Sequence, residues 1–151
     1  MGTSASYLIQ SEGDVERDAM NWNPEFSRRA RGFALYAALR ALGRSGVTEI
    51  IDRCCANARH FAVSLGQADG VEVLNDVVLN QVLVRFMSPS GDHDGRTAAV
   101  VKAVQQEGTC WLSGSVWQGK GVMRISVSNW ATTQDDVDRS VEAILRVAQG
   151  P

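Results

Sequence analysis

The sequence is poor in lysine. Of its 15 basic residues only Lys102 and Lys120 are lysines, so chemistry that runs through a lysine amine has two candidates. Cysteine is scarce too, at Cys54, Cys55 and Cys110. An odd number with an adjacent pair builds neither a disulfide framework nor a zinc pattern. Reduced thiols in a cytoplasm are expected instead. Of the two histidines, His60 has no second histidine at metal-ligand spacing, and Asp92-His93-Asp94 has too few ligands for more than weak metal binding. No apolar run approaches the ~18 residues of a membrane helix, and no basic-then-apolar start of signal-peptide type is present. Nor is there an excess of positive charge. The net charge is −2 with the signs interspersed, which excludes the electrostatic footprint of a nucleic-acid binder. Gly-rich phosphate loops, catalytic-serine signatures and paired-carboxylate motifs are all missing. These absences leave a soluble cytoplasmic chain with no metal, nucleic acid or membrane as partner.

What is present suits a folded domain. The chain has 151 residues, 44% hydrophobic and 21% charged, enough for a core. Residues 1–26 have no steady hydrophobic period and read as a loop or lead segment. Ser27 is a good N-cap for a helix over Arg28 to Leu42 that ends at Gly43. Its apolar residues spread widely: Phe33, Ala34, Ala37 and Ala41 on one face, Leu35, Leu39 and Leu42 on another. So broad an apolar surface predicts burial on two sides, more than a chain this short supplies alone. Gly43-Arg44-Ser45-Gly46 reads as a turn. A second helix follows from about Val47 to Gly66, with Ile50, Ile51, Cys54, Ala58, Phe61, Ala62 and Leu65 at helical spacing.

The pattern then changes. Strands are expected at Val71 to Leu74 and Val82 to Phe86, a helix at Thr97 to Glu107, and strands at Thr109 to Trp117 and Val122 to Val127. Gln118-Gly119-Lys120-Gly121 forms the hairpin between the last two. Thr133 caps a final helix, with Asp135 and Asp136 in its positive first turn. The fold class is α+β: a small antiparallel sheet with helices on one face, preceded by two long helices. The division expected is 1–26 lead, 27–68 helical segment and 69–151 α+β domain.

Arg124 is the residue best suited to bind something. It lies mid-strand, with Arg124, Ser126 and Ser128 on one face and Met123, Ile125 and Val127 on the other. A planar guanidinium can clamp a carboxylate with two parallel hydrogen bonds. The spacing also allows an arginine on a solvated face or one paired with a structural acid. Arg28, Arg29 and Arg31 sit where the helix dipole disfavours cations, which leaves open an external anion or an ordinary surface cluster. Asn129-Trp130, after the Arg124 strand, could line a site or merely cap and pack. His60 reads as structural, and Asp92-His93-Asp94 as a solvated turn.

Ser27 to Phe33 with Leu39 to Gly43, Asn80 to Phe86, Trp111, Trp117, and above all Met123 to Asn129 with Thr132 to Asp138 resemble the group II pyridoxal-phosphate-dependent amino-acid decarboxylases. This family includes the aromatic-amino-acid and glutamate enzymes. The likeness covers nearly the whole chain in one order. It implies a fold-type-I enzyme in which a large domain holds the cofactor and a small C-terminal domain closes over it. The α+β unit matches the small domain, and the helices before it match the end of the large one.

In the family the cofactor lysine follows a histidine upstream of the matched region. Here Lys102 follows Val101 and Lys120 follows Gly119. The resemblance therefore implies a chain with no catalytic residue of its own, which binds no pyridoxal phosphate and is inactive alone. Its partner would be the missing large-domain portion or a homologous subunit in a homo-oligomer, acting on an amino acid. Arg124 matches an arginine that in glutamate-type members contacts the substrate carboxylate, and Arg28, Trp22 and Asn129 are further site-lining candidates. The lead from Gln10 to Trp22 matches a mobile loop. In aromatic-type members that loop carries a proton-delivering tyrosine where this chain has Ala19, which makes oxidative deamination a conceivable side chemistry. The alternatives are a non-catalytic module pairing with an intact homologue, and an independent small-molecule-binding domain.

Overall fold

The computed structural model describes residues 29–150. The expectations for Trp22, Arg28, the Ser27 cap and the Gln10–Trp22 loop lie outside them. Two compact units divide between Leu42 and Gly43.

Helix α1 is assigned over Arg31–Gly66, and Gly43 inside it leaves helical geometry at φ 63°, ψ −173°. Only glycine adopts such a conformation cheaply. The four-residue turn expected here thus shrinks to one residue, because Arg44 to Gly46 already hold helical geometry. In the first unit, residues 31–42 expose nearly all they carry. Phe33 is 74% exposed and Tyr36 63%; Leu35, Leu39 and Leu42 are exposed too.

The second unit begins at Gly43, whereas the sequence suggests a boundary near residue 69. Packing explains the difference. Cys54, Ala58, Phe61 and Leu65 of α1 share one core with the sheet, so this helix joins the α+β unit. The remaining elements are β1 (Val71–Val73), β2 (Gln81–Phe86), α2 (His93–Glu107), β3 (Ser113–Trp117), β4 (Lys120–Ser126) and α3 (Gln134–Gln149). The strands form one antiparallel sheet in the order β1-β2-β4-β3.

Register sets the two faces. Val84 opposes Met123 and Val82 opposes Ile125. These four join Val100, Val101 and Val104 of α2 and Val137, Val141 and Ile144 of α3 in the core. Leu83 opposes Arg124, and Arg124 opposes Ser113, so Arg124 stands on the other face.

Helix α2 starts four residues earlier than expected, because Asp92 accepts a hydrogen bond from the Gly95 N–H at 2.9 Å and caps it. The Asp92-His93-Asp94 triplet is therefore a helix start, not a free turn. Strand β3 is shorter than expected, beginning at Ser113. Its hairpin closes through Gln118 and Gly119, both at positive φ, the geometry that matches strand twist. Helix α3 opens with a reciprocal capping box between Thr133 and Asp136.

Candidate functional site

Strand β4 delivers Arg124 to the sheet face away from the α2 and α3 core. The side chain is exposed. Arg53, Arg85, Arg139 and Arg146 all form ion pairs, but Arg124 forms none with a described residue. Its neighbours in register are Leu83 and Ser113, one apolar and one a small hydroxyl. This arrangement leaves a guanidinium fork available to a carboxylate.

The chain after β4 is a built turn. The Asn129 Oδ1 accepts from the Ala131 N–H at 3.0 Å, and the Thr132 N–H donates to the Asn129 carbonyl at 3.2 Å. Asn129 thus closes its own turn. Three side chains of α1 at helical spacing reach this region. Arg53 Nη2 donates to the Trp130 carbonyl at 2.8 Å, Asn57 Nδ2 donates to the Thr132 carbonyl at 3.1 Å, and His60 Nε2 lies 2.5 Å from Asp138 Oδ1. Sequence reasoning gave His60 a structural role, and this contact fits one. It missed Arg53 and Asn57. Their 53/57/60 spacing was the available signal, but only the fold says what that helix face meets.

A pocket of about 180 Å³ lies beside this turn, lined by Phe61, Cys110, Trp111, Ile125, Asn129 and Ile144 among others. Burial pushes the Cys110 thiol up, and the Glu107 charge adds to it against a hydrogen bond with Ser140. Hydrogen bonds from the Thr109 backbone and hydroxyl, then Arg146, hold the Glu107 carboxyl below its usual range. Bonds from Thr133, then Arg139, do the same for Asp136. Both belong to helix ends.

The described residues hold no group of three or more His, Cys, Asp or Glu placed for a metal. A cofactor imine would need Lys102 or Lys120. Both are exposed, and the groove that includes Lys102 has no aromatic wall and no second cation. A pyridoxal phosphate needs a face to stack on and donors for its phosphate, and the groove at Lys102 offers neither. Among the described residues no helix is long and apolar enough to cross a membrane.

The α+β unit carries Arg124 on the sheet face away from the α2 and α3 core, and the chain belongs to the family of the pyridoxal-dependent decarboxylase conserved domain, whose model matches residues 2–87. It is 28% identical to rat (Rattus norvegicus) histidine decarboxylase over 94% of its own length and 21% of that protein. It is 26% identical to Arabidopsis thaliana tyrosine decarboxylase 2 over 91% of itself and 26% of that protein. The chain therefore spans between a fifth and about a quarter of the length of these relatives. Its fold matches Catharanthus roseus tryptophan decarboxylase in complex with L-tryptophan at a TM-score of 0.75, with 17% identity, over 87% of this chain and 29% of that one. That likeness shows that the α+β fold is shared with part of that decarboxylase.

Proposed function

We propose that this chain is the C-terminal portion of a pyridoxal-phosphate-dependent amino-acid decarboxylase and contributes the substrate-carboxylate contact through Arg124. The observation that carries this reading is Arg124 itself: mid-strand, exposed, on the sheet face away from the core, with no ion pair to a described residue. Two parallel N–H donors from one guanidinium orient a carboxylate as well as bind it. The cofactor and its lysine come from the portion of the fold that this chain does not cover. The chain alone binds no cofactor and is inactive. The working partner is that cofactor-bearing portion or a homologous subunit, within a homo-oligomer in the cytoplasm. The substrate class is an L-amino acid.

A second reading, a non-catalytic module that pairs with an intact homologue, draws support from the exposed Phe33, Leu35, Tyr36, Leu39 and Leu42. An apolar helix surface of this extent marks an interface, and it serves either reading.

The test has two parts. The purified chain is titrated with pyridoxal phosphate and reduced with borohydride; no imine is expected at Lys102 or Lys120. It is then combined with the cofactor-bearing portion of a relative, cut before the matched segment, and CO2 release from carboxyl-labelled amino acids is followed. Activity gained with the wild-type chain and lost with Arg124→Ala supports the first reading. Association without activity favours the second. A saturable imine on the chain alone overturns both.

A further inference from the structure

The turn from Ser128 to Thr132 is held in an unusual way. Ser128, Asn129, Trp130 and Ala131 are all exposed, and Thr132 is only partly covered, so the turn has no buried side chain to anchor it. Turns of this kind open easily. This one is fastened from outside, and by its backbone. Arg53 holds the Trp130 carbonyl at 2.8 Å, and its other nitrogen is steadied by Glu49 at 3.0 Å. Asn57 holds the Thr132 carbonyl at 3.1 Å. Asn57 is itself only 7% exposed, and a buried amide is costly unless it is used. The strand side is fixed as well: Asn80 and Val127 exchange bonds at 2.9 Å in both directions.

The contacts at 130 and 132 go to carbonyls, which any residue supplies. They leave the indole of Trp130 out of the packing, at 71% exposure. Other apolar side chains stand around the same turn. Leu79 and Ile51 line a groove with Ser128 and are 62% and 51% exposed. Trp111 lines the pocket beside Asn129 and is 79% exposed. A large exposed aromatic carried on a turn whose backbone is already fastened, with other exposed apolar side chains nearby, has the composition of an interface hot spot, because ordering the backbone before contact removes part of the entropy cost of binding.

We infer that the Ser128–Thr132 turn is a preorganised contact element, with Trp130 as its contact side chain and Arg53 and Asn57 as positioning residues. Its partner is the cofactor-bearing portion of the decarboxylase fold, since the chain spans only 21% and 26% of its histidine and tyrosine decarboxylase relatives and the turn directly follows the strand that carries Arg124. This identification of the partner rests on the reading in the previous subsection; the positioning role does not.

The test uses the full chain labelled with 5-fluorotryptophan. The Trp130 fluorine signal, assigned with Trp130→Phe, reports the turn. In wild type it is single and sharp. Arg53→Ala and Asn57→Ala are expected to shift and broaden it, as the unfastened turn samples several conformations, while the Trp117 signal stays in place, and Arg53→Lys restores it. Arg53 is exposed enough that its replacement keeps the fold, so the measurement stands even if Asn57→Ala fails to fold. An unmoved Trp130 signal in Arg53→Ala overturns the positioning role.

Binding to the cofactor-bearing portion of the tyrosine decarboxylase relative is then measured. Trp130→Ala and Arg53→Ala should each weaken it by about tenfold or more. The double variant should lose no more than Trp130→Ala alone, because Arg53 acts through the turn. Binding unchanged in Trp130→Ala overturns the contact role. If the wild-type chain fails to bind, the assigned partner and the reading it rests on fall together, and the fluorine signals alone judge the positioning.

Discussion

Arg124 and Arg85 stand on the same sheet face, one strand apart, and differ in what they meet. Arg85 reaches Asp94 at 2.6 Å with 14% of its side chain exposed, while Arg124 has no ion-pair partner among the described residues. Arg85→Ala should therefore lower stability by about 1 kcal/mol, a modest loss because Asp94 is half exposed. Arg124→Ala should change it by less than about 0.5 kcal/mol. Thermal unfolding of the two variants separates the roles: a stability loss for Arg124→Ala equal to that for Arg85→Ala would make Arg124 a structural residue. Cys110 offers a second check at this scale. Its thiol is held in the neutral form by burial, and the thiolate is the reactive species. Iodoacetamide should modify Cys110 more slowly at neutral pH than it modifies a free thiol, with the rate climbing only in the alkaline range. Rapid modification at neutral pH would contradict the burial.

The helix ends carry the predictions that belong to elements. Thr133 completes a capping box with Asp136, so Thr133→Ala should destabilise the protein by about 1 kcal/mol, seen as a lower denaturant midpoint at unchanged slope. The carboxyls of Asp136 and Glu107 both titrate below their usual range in the folded chain. Their contribution to stability is complete at neutral pH. It is lost as pH falls through the lowered values, below about pH 4. Asp136→Asn should flatten that acid limb of the stability profile; an unchanged acid limb would show that the cap does not depend on charge. In the β3–β4 hairpin, Gln118 sits at φ 49°, where a side chain of its kind is strained. Asn tolerates that region better, and Gln118→Asn should raise the melting temperature. A lower one would mean that the glutamine side chain has a contact worth more than the strain.

For the whole molecule, the second unit from Gly43 onward carries a real core. Leu65, Met123 and Ile144 are fully buried. Leu65→Ala should cost about 2–5 kcal/mol, since a cavity there faces both helix and sheet. The first unit is different. Residues 31–42 expose five large apolar side chains, and water gains nothing by leaving them so. The isolated chain should bind a hydrophobic dye, and Leu35→Glu with Leu39→Glu should reduce both dye binding and self-association. Sedimentation of the wild-type and double-variant chains reads this directly.

Much of the fold was legible from periodicity and caps. The Met123, Ile125 and Val127 alternation placed one face of β4 inward, and Thr133 with Asp136 marked the start of α3, because both signals are local. Arg124 could be singled out for the same reason: a charge in a β-branched strand is visible in six residues. The family resemblance was read above all from Met123 to Asp138, whereas the family model matches residues 2–87. The register that puts Arg124 between Leu83 and Ser113, and leaves it without a described acid beside it, came only with the sheet, since strand partners lie 11 and 41 residues away in sequence. The boundary near residue 69 shifted to Gly43 because hydrophobic period reports that a helix is buried and not what it is buried against. The turn at Trp130 is the clearest case. Nothing in Arg53 or Asn57 as letters points to carbonyls more than 70 residues away. That contact exists only once the helix packs beside the turn.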